Sequence, residues 1–194
     1  MKRLWLPEEW GGRAIVLRDV ERADEWFTAD ELRDADQFRL EKRRNEWKLS
    51  RVAAKQLAME RGIAPHPRAC RIEDRKLGDS FVSLSHSTPY AAAAIDRQPV
   101  GIDVETLRPL SERAAHFFLT EREEEEMRGC RIQHRLLHFW SAKEAEWKRH
   151  GGAIETMKRV PIALQRETGD GLLFDRVETR LIVDVIVALT RPTS

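Results

Sequence analysis

The sequence predicts an α+β protein in which each half of the chain carries a long helix and a set of short strands. Charged, proline-free segments that begin at capping boxes predict the helices, and short apolar runs bounded by glycine and proline predict the strands. The chain has 194 residues, 41% of them hydrophobic and 35% charged, as in an ordinary globular protein. We place the boundary between the two halves at residues 1–98 and 99–194.

The composition argues against several protein classes. No apolar run approaches the roughly 20 residues needed to span a bilayer, and the first residues place acids and tryptophans where a signal peptide needs an apolar segment. We therefore expect a cytoplasmic protein that does not bind membranes. Cys70 and Cys130 lie far apart without C-x-x-C spacing, which indicates neither a disulfide framework nor a zinc site. The 34 basic and 33 acidic residues leave no global field to attract nucleic acid.

Three short strands are predicted in the first half. Residues 14–17 form a buried apolar run, residues 81–87 alternate as a strand, and residues 90–95 form a second apolar run rich in alanine. Residues 96–99 then form a loop, which we interpret as a hairpin turn into the strand at residues 100–105.

One long helix is predicted between these strands. The capping box formed by Thr28 and Glu31 opens it, and the charged segment from residue 29 to residue 61 continues it to Gly62. Such charges usually form a solvated face, but basic residues outnumber the local acids and leave room for a phosphate-binding patch. The basic residues are Arg39, Lys42, Arg43, Arg44, Lys48, Arg51 and Lys55.

Residues 100–105 place two carboxylates in an apolar run. Read as a strand, this segment buries its valines and isoleucine and presents Asp103 and Glu105 on the opposite face, where both can approach one hard cation such as Mg²⁺. Gly101 removes a side chain beside them, so a bulky ligand could approach the backbone. A half-buried strand with a solvated face is the alternative for this pattern alone.

The second half predicts three helices and a central strand. A short helix covers residues 114–118, a capping box formed by Thr120 and Glu123 opens the next, and a strong helix runs from residue 131 to about residue 150. Residues 181–189 alternate strongly enough to predict one central strand.

Three of these features occur together in one known family. They are Ser85-His86-Ser87 at a strand end, the V-G-[IV]-D-x-E pattern at residues 100–105, and the [FW]-[ST]-x-K-E-[AS]-x-x-K pattern at residues 140–148. Together they resemble the 4′-phosphopantetheinyl transferase superfamily, specifically its Sfp-type branch. The family's usual G-K-P segment upstream of the serine and histidine is absent here.

The resemblance implies a defined fold and reaction. The fold consists of two similar α+β halves related by a pseudo-two-fold axis, with the active site between them, so one chain suffices as a monomer. Such enzymes, including holo-acyl-carrier-protein synthases, transfer the phosphopantetheine arm of coenzyme A to a serine of an acyl, peptidyl or aryl carrier protein. These carriers serve fatty acid, polyketide and nonribosomal peptide synthesis, and adenosine 3′,5′-bisphosphate is released.

The resemblance also implies roles for particular residues. Asp103, Glu105 and Glu144 bind Mg²⁺ or Mn²⁺, and Glu144 helps to deprotonate the serine. Lys143 and Lys148 offset charge on the transferring phosphoryl group. The expected coenzyme A contacts are made by Ser85, His86, Arg43, Arg51, Lys55, Lys143 and Lys148, with His86 at the 3′-phosphate.

Two alternatives are weighed against this assignment. A non-catalytic relative that binds coenzyme A or another nucleotide would retain affinity without transfer, although the three acids and both lysines argue against it. A nucleic-acid-binding module built on the basic helix around Arg43 is disfavoured by the nearly balanced charge.

Overall fold

The structure, a computed structural model, describes residues 1–19 and 24–193. Its internal contacts divide the chain into two units, Met1–Arg97 and Gln98–Ser194. Each unit combines helices with one antiparallel sheet, which confirms the predicted α+β class. Among the described residues, no helix has both the length and the apolar character needed to cross a bilayer.

The first unit has a sheet covered by one long helix. Its strands are β1 (Lys2–Arg3), β2 (Ala14–Arg18), β3 (Lys76–Leu77), β4 (Ser80–Ser87) and β5 (Tyr90–Asp96), and its helices are α1 (Ala29–Asp36) and α2 (Glu41–Glu60). Val52, Ala53 and Leu57 of α2 belong to the same buried cluster as Ile15 and Ala93 of the sheet. Short 3₁₀ turns complete the unit at Glu8–Trp10, Asp24–Trp26 and Pro67–Ala69.

The second unit repeats this plan. Its strands are β6 (Ile102–Thr106), β7 (Leu164–Glu167), β8 (Gly171–Phe174), β9 (Val177–Ile182) and β10 (Val185–Thr190), and its helices are α3 (Ala115–Phe118), α4 (Glu121–Gly129) and α5 (Arg135–Arg149). Phe139 of α5 packs edge to face against Phe174 of β8, with ring centroids 5.1 Å apart. Its 3₁₀ turns lie at Glu112–Ala114 and Met157–Arg159.

Four strands of each sheet have the same connectivity. In the first, the strand before the long helix (β2) pairs antiparallel with the last strand (β5), in the order β2-β5-β4-β3. In the second, β6 pairs antiparallel with the last strand β10, in the order β6-β10-β9-β8. In each unit the strand before the long helix therefore pairs with the last strand of the meander that follows the helix. The sheets differ at their edges, where β1 pairs with β2 in the first and β7 pairs with β8 in the second.

The predicted continuous helix from residue 29 to residue 61 is wrong, because it is divided into α1 and α2. Leu40, which precedes α2, has an extended backbone with φ −93° and ψ 123°. Within one unbroken helix, Glu31 and Lys55, 24 residues apart, would be separated by about 36 Å. The break allows α1 to return along α2, so that these two side chains meet.

Two further predictions, one strand and one hairpin, are also wrong. Residues 181–189 do not form one strand but parts of β9 and β10, which turn at Val183 and Asp184, where Val183 has φ 59°. A β-branched residue is uncommon in this conformation, so the sequence contains no turn signal there. Residues 96–99 do not make a hairpin either, since β5 and β6 belong to different sheets.

A buried lysine ties the helices of the first unit together. Lys55 of α2 is fully buried, and its ammonium lies 2.9 Å from Glu31 Oε1. Glu31 is also the capping-box residue of α1, where it accepts a hydrogen bond from the Thr28 amide at 2.9 Å. The same ammonium donates to the carbonyl oxygens of Pro67 and Cys70 at 2.9 and 2.8 Å, which fixes the 3₁₀ turn after α2.

The second unit contains the same arrangement. Lys143 of α5 is fully buried and lies 2.8 Å from Glu123 Oε1, while Glu123 Oε2 accepts from the Thr120 amide in the α4 capping box. The Lys143 ammonium also donates to the carbonyl oxygen of Val160 at 2.7 Å. Val160 directly follows the 3₁₀ turn Met157–Arg159, just as Cys70 directly follows the 3₁₀ turn Pro67–Ala69 in the first unit. We call Lys55–Glu31 and Lys143–Glu123 the buried lysine pairs.

Replacing Lys143 by methionine should lower the free energy of unfolding by about 3–5 kcal/mol, because Glu123 is left buried without its cation. Adding Glu123→Gln should recover part of this loss, since the amide oxygen still serves the capping box. Lys158→Met, at an exposed lysine of the same unit, should change stability by no more than about 0.5 kcal/mol. Urea denaturation measures all three, and equal stability of Lys143→Met and wild type would contradict a structural role.

A buried histidine makes the stability of the second unit depend on pH. The imidazole Nδ1 of His138 lies 2.8 Å from Thr179 Oγ1, and its buried Nε2 has no hydrogen-bond partner among the described residues. Burial, with a smaller contribution from His134, lowers the pKa of His138 to about 4. The ordinary pKa of histidine is 6.5. Between pH 6.5 and pH 4, His138 is therefore mostly protonated in the unfolded chain and mostly neutral in the folded chain.

The contribution of His138 to stability should therefore be complete well above pH 6.5 and should be lost as the pH drops toward 4. For His138 alone the expected loss between pH 7 and pH 4.5 is about 2 kcal/mol. Urea denaturation at both values should show that His138→Gln loses less stability than wild type on acidification. An unchanged difference between the two pH values in the variant would contradict this assignment.

Candidate active site

Helix α5 lies directly against the start of strand β6. A Cβ added at Gly101 would stand 1.8 Å from the main-chain oxygen of Ala145 and 2.9 Å from the amide nitrogen of Arg149. Residues two apart on a strand share a face, so Asp103 and Glu105 also face this helix. The expectation that Gly101 leaves room for a ligand is therefore wrong, because the helix backbone occupies that space.

Lys148 joins the strand to the helix through two carboxylates. Its ammonium donates to Asp103 Oδ1 at 2.7 Å and lies 3.8 Å from Glu144 Oε2, one turn earlier on α5. Asp103 is only 4% exposed. The structure thus brings together three of the predicted residues, one acid from the strand and an acid and a base from the helix.

Glu105 is held by a residue that we did not assign to the site from the sequence. The indole Nε1 of Trp140 donates to Glu105 Oε1 at 2.8 Å. Trp140 packs edge to face against Phe118 with ring centroids 5.0 Å apart, which fixes the plane of the indole. Arg108 adds a cation 3.6 Å from the same carboxylate oxygen. The spacing of four between Trp140 and Glu144 was the available signal, since it places both on one helix face.

Asp103, Glu105 and Glu144 lie close enough to interact electrostatically. Burial raises the pKa of Glu144, and the charges of Asp103 and Glu105 raise it further, while Lys148 partly offsets them. Burial also raises the pKa of Glu105, with a further contribution from Asp103, against the opposing hydrogen bond from Trp140. Ionising Glu105 and Glu144 is therefore costly in the folded chain, and an added positive charge would relieve that cost.

The donor set fits a hard divalent cation in its chemistry. Carboxylate oxygens are the protein ligands that Mg²⁺ prefers. The three acids repel one another, and Lys148 pairs with only two of them, Asp103 and Glu144. The described residues nevertheless contain no group of three histidine, cysteine or acidic side chains already close enough to hold a metal ion. Lys148 is the cation that lies between Asp103 and Glu144.

Lys143 is directed to a different part of the unit. Its ammonium is enclosed in the buried lysine pair with Glu123, and burial lowers its pKa although Glu123 partly offsets this. The residue next to it, Glu144, belongs to the carboxylate group beside β6. Adjacent helix residues point about 100° apart, so the lysine and glutamate of the K-E motif serve different contacts.

In the first unit, the predicted phosphate contacts fall into two groups. Ser85 is buried on β4, and His86 beside it has its Nε2 3.3 Å from Glu46 Oε2 of α2. Arg43 is exposed and lies 3.6 Å from the same Glu46 oxygen. His86 and Arg43 are thus brought together around an acid that the sequence did not single out.

Arg51 and Lys55 lie further along α2. The Arg51 guanidinium stacks over the Trp47 ring, 3.7 Å from its centroid, and burial lowers its pKa to about 10 against the opposing charges of Glu31 and Asp34. Lys55 is enclosed in its buried lysine pair. Arg51 therefore remains a candidate anion contact, whereas the ammonium of Lys55 is taken up by protein oxygens.

Comparison with known proteins relates the second unit to one family. Residues 99–176 match the family described as ACPS, the 4′-phosphopantetheinyl transferase superfamily. Over 81 residues, 40% of this chain, the sequence is 32% identical to 4′-phosphopantetheinyl transferase Sfp of Bacillus subtilis strain 168. Over 83 residues, 41% of this chain, it is 31% identical to 4′-phosphopantetheinyl transferase psf-1 of Bacillus pumilus. The matched segment spans 36% of the length of each relative.

Replacing Gly101 by alanine should separate β6 from α5 and disorganise the carboxylate group. The added methyl would overlap a main-chain oxygen that cannot rotate away, so we expect stability to fall by about 3 kcal/mol or more. Gly129→Ala is the matched control, because a Cβ there meets nothing within 4 Å. Thermal denaturation compares the two variants, and wild-type stability of Gly101→Ala would contradict the close approach of helix and strand.

Proposed function

We propose that this chain, whose residues 99–176 match the 4′-phosphopantetheinyl transferase superfamily, belongs to that superfamily and transfers the phosphopantetheine arm of coenzyme A to a serine of a carrier protein. The observation that carries the proposal is the group formed by Asp103, Glu105, Glu144 and Lys148 where α5 meets β6. In this group the acids would bind a hard cation, and the Lys148 ammonium would contact an anionic phosphoryl group. The Bacillus relatives are all named 4′-phosphopantetheinyl transferases, and sequence similarity to them supports the same reaction for this chain.

The reaction is a displacement at phosphorus. The serine oxygen forms a bond to the phosphorus that carries pantetheine, the bond from that phosphorus to the bridging oxygen breaks, and adenosine 3′,5′-bisphosphate leaves with that oxygen. The serine must lose its proton, and the pyrophosphate must be held against its own negative charge. These demands separate the roles of the residues.

The acids would hold the cation and accept the proton. Asp103, Glu105 and Glu144 would bind Mg²⁺ or Mn²⁺, which when bound supplies positive charge to the pyrophosphate oxygens. Glu144 would accept the serine proton, directly or through a water molecule.

The two lysines of the second unit would have different roles, one in the reaction and one in the fold. Lys148 already contacts Asp103 and Glu144, so it would orient the transferring phosphoryl group and offset its charge. Lys143 would contribute through the fold, since its ammonium bonds Glu123 and Val160. Trp140 would act as a positioning residue by holding the Glu105 carboxylate.

The first unit would contact the phosphates of coenzyme A. His86, with Arg43 beside it, would bind the 3′-phosphate, and Ser85 would approach a neighbouring phosphate. Arg51 would be a further anion contact, because its guanidinium is stacked on Trp47 and partly removed from water. The enclosed ammonium of Lys55 leaves it out of this set.

The remaining proposals concern the setting of the reaction. We infer a cytoplasmic monomer that acts on acyl, peptidyl or aryl carrier proteins, as holo-acyl-carrier-protein synthases do, and that binds neither nucleic acid nor membranes. Both cysteines are reduced and buried, which suits a reducing compartment. The balance of 34 basic against 33 acidic residues gives no general attraction for nucleic acid.

Intact mass spectrometry of apo carrier proteins incubated with the chain, coenzyme A and Mg²⁺ tests this function. Wild type should add one phosphopantetheine mass to a carrier, and chelator should prevent the gain. Asp103→Asn and Glu144→Gln should each slow transfer by at least about 100-fold, because they remove charge from the reacting centre. Glu125→Gln, at an exposed acid of α4, should transfer at the wild-type rate.

Two results would contradict the proposal. Transfer at the wild-type rate by both Asp103→Asn and Glu144→Gln would remove the carboxylate group from the mechanism. Coenzyme A binding without transfer to any carrier in a broad panel would favour a non-catalytic binding relative.

A further inference from the structure

Two cationic side chains and one histidine of the first unit surround one carboxylate. Glu46 Oε2 lies 3.3 Å from His86 Nε2 and 3.6 Å from Arg43 Nη1, and Glu46 Oε1 lies 3.7 Å from Lys42 Nζ. The Glu46 side chain is only 12% exposed, whereas those of Lys42 and Arg43 are 83% and 67% exposed. The acid is therefore at the centre of the group and the bases are at its rim. We call these four residues the Glu46 cluster.

The Glu46 carboxylate stands where an anionic ligand would need to accept hydrogen bonds. A phosphate oxygen that binds His86 Nε2 must take the place now held by Glu46 Oε2. If the carboxylate stays nearby, it repels the phosphate at short range, where charges interact strongly even near a protein surface. In both cases Glu46 opposes binding of an external anion to His86 and Arg43.

We propose that Glu46 is a specificity-determining residue that competes, as an internal anion, with the phosphate monoester of coenzyme A for His86 and Arg43. The inference rests on the proposed function, which assigns these two residues to the 3′-phosphate. It adds that Glu46 reduces the affinity for coenzyme A that the chain gains from the 3′-phosphate. Coenzyme A and dephospho-coenzyme A differ only by this phosphate, so the chain discriminates weakly between them.

The inference predicts a gain of affinity on removing a charge. Glu46→Gln keeps the size and hydrogen-bonding capacity of the side chain and removes its repulsion, so coenzyme A should bind about 5- to 10-fold more tightly. Dephospho-coenzyme A should change by less than about 2-fold, because it lacks the competing group. Isothermal titration calorimetry of each ligand with wild type and variant measures both changes.

Two further variants make the test specific. Glu41→Gln removes an exposed acid from the same helix and should leave both affinities within about 2-fold of wild type, which excludes a general effect of net charge. Glu46→Gln should give a smaller gain when it is added to His86→Ala than when it is added to wild type, since coupling between the two positions is what the competition requires. A thermal midpoint close to that of wild type verifies that each variant is folded.

The outcomes separate this inference from the proposed function. Coenzyme A binding that is unchanged or weakened in Glu46→Gln would overturn the competition and make Glu46 a residue that holds His86 and Arg43 in place. A gain shared equally by dephospho-coenzyme A would also overturn it. Failure of both ligands to bind wild type and all variants would contradict the proposed function itself, and this inference with it.

Discussion

The close approach of the α5 backbone to strand β6 at Gly101 is the constraint on which the candidate active site depends. Any larger residue would collide with the main chain of Ala145, so this one glycine sets the distance between helix and strand. At that distance Lys148 reaches Asp103, and Trp140 reaches Glu105. The raised pKa values of Glu105 and Glu144 have the same origin, because burial and mutual repulsion both follow from packing three acids between two elements. Packing thus creates the chemistry of the group.

The buried lysine pairs show that the two units solve the same structural problem in the same way. In each, a capping-box glutamate of a short helix meets a fully buried lysine of the long helix, and the lysine also bonds a carbonyl beside a 3₁₀ turn. Breaking such a pair is costly, because it leaves a charge buried and uncompensated. The pairs therefore hold short helix, long helix and following turn as one body. In the second unit this body includes α5, which carries the candidate site.

Local patterns predicted the elements better than the contacts between them. Both capping boxes, the strand ends around His86 and the long helix of the second half follow from the sequence, because each depends on residues a few positions apart. The break before Leu40 and the turn at Val183 carry no glycine or proline signal, so the predicted helix and strand continued through both.

Long-range pairing explains the other differences. The sequence cannot show that Lys55 and Lys143 point into the core, that Gly101 faces a helix, or that Glu46 lies beside His86, since each partner is distant along the chain.

The central claim is that Asp103, Glu105 and Glu144 act as one group toward a divalent cation. Electron paramagnetic resonance of Mn²⁺ titrated with the protein and coenzyme A tests it most directly, with coenzyme A alone as the reference. The account predicts one bound Mn²⁺ per wild-type chain beyond that reference, and a large loss of affinity in Asp103→Asn and in Glu144→Gln, each removing one carboxylate charge. Equal Mn²⁺ affinity in wild type and both variants would contradict it.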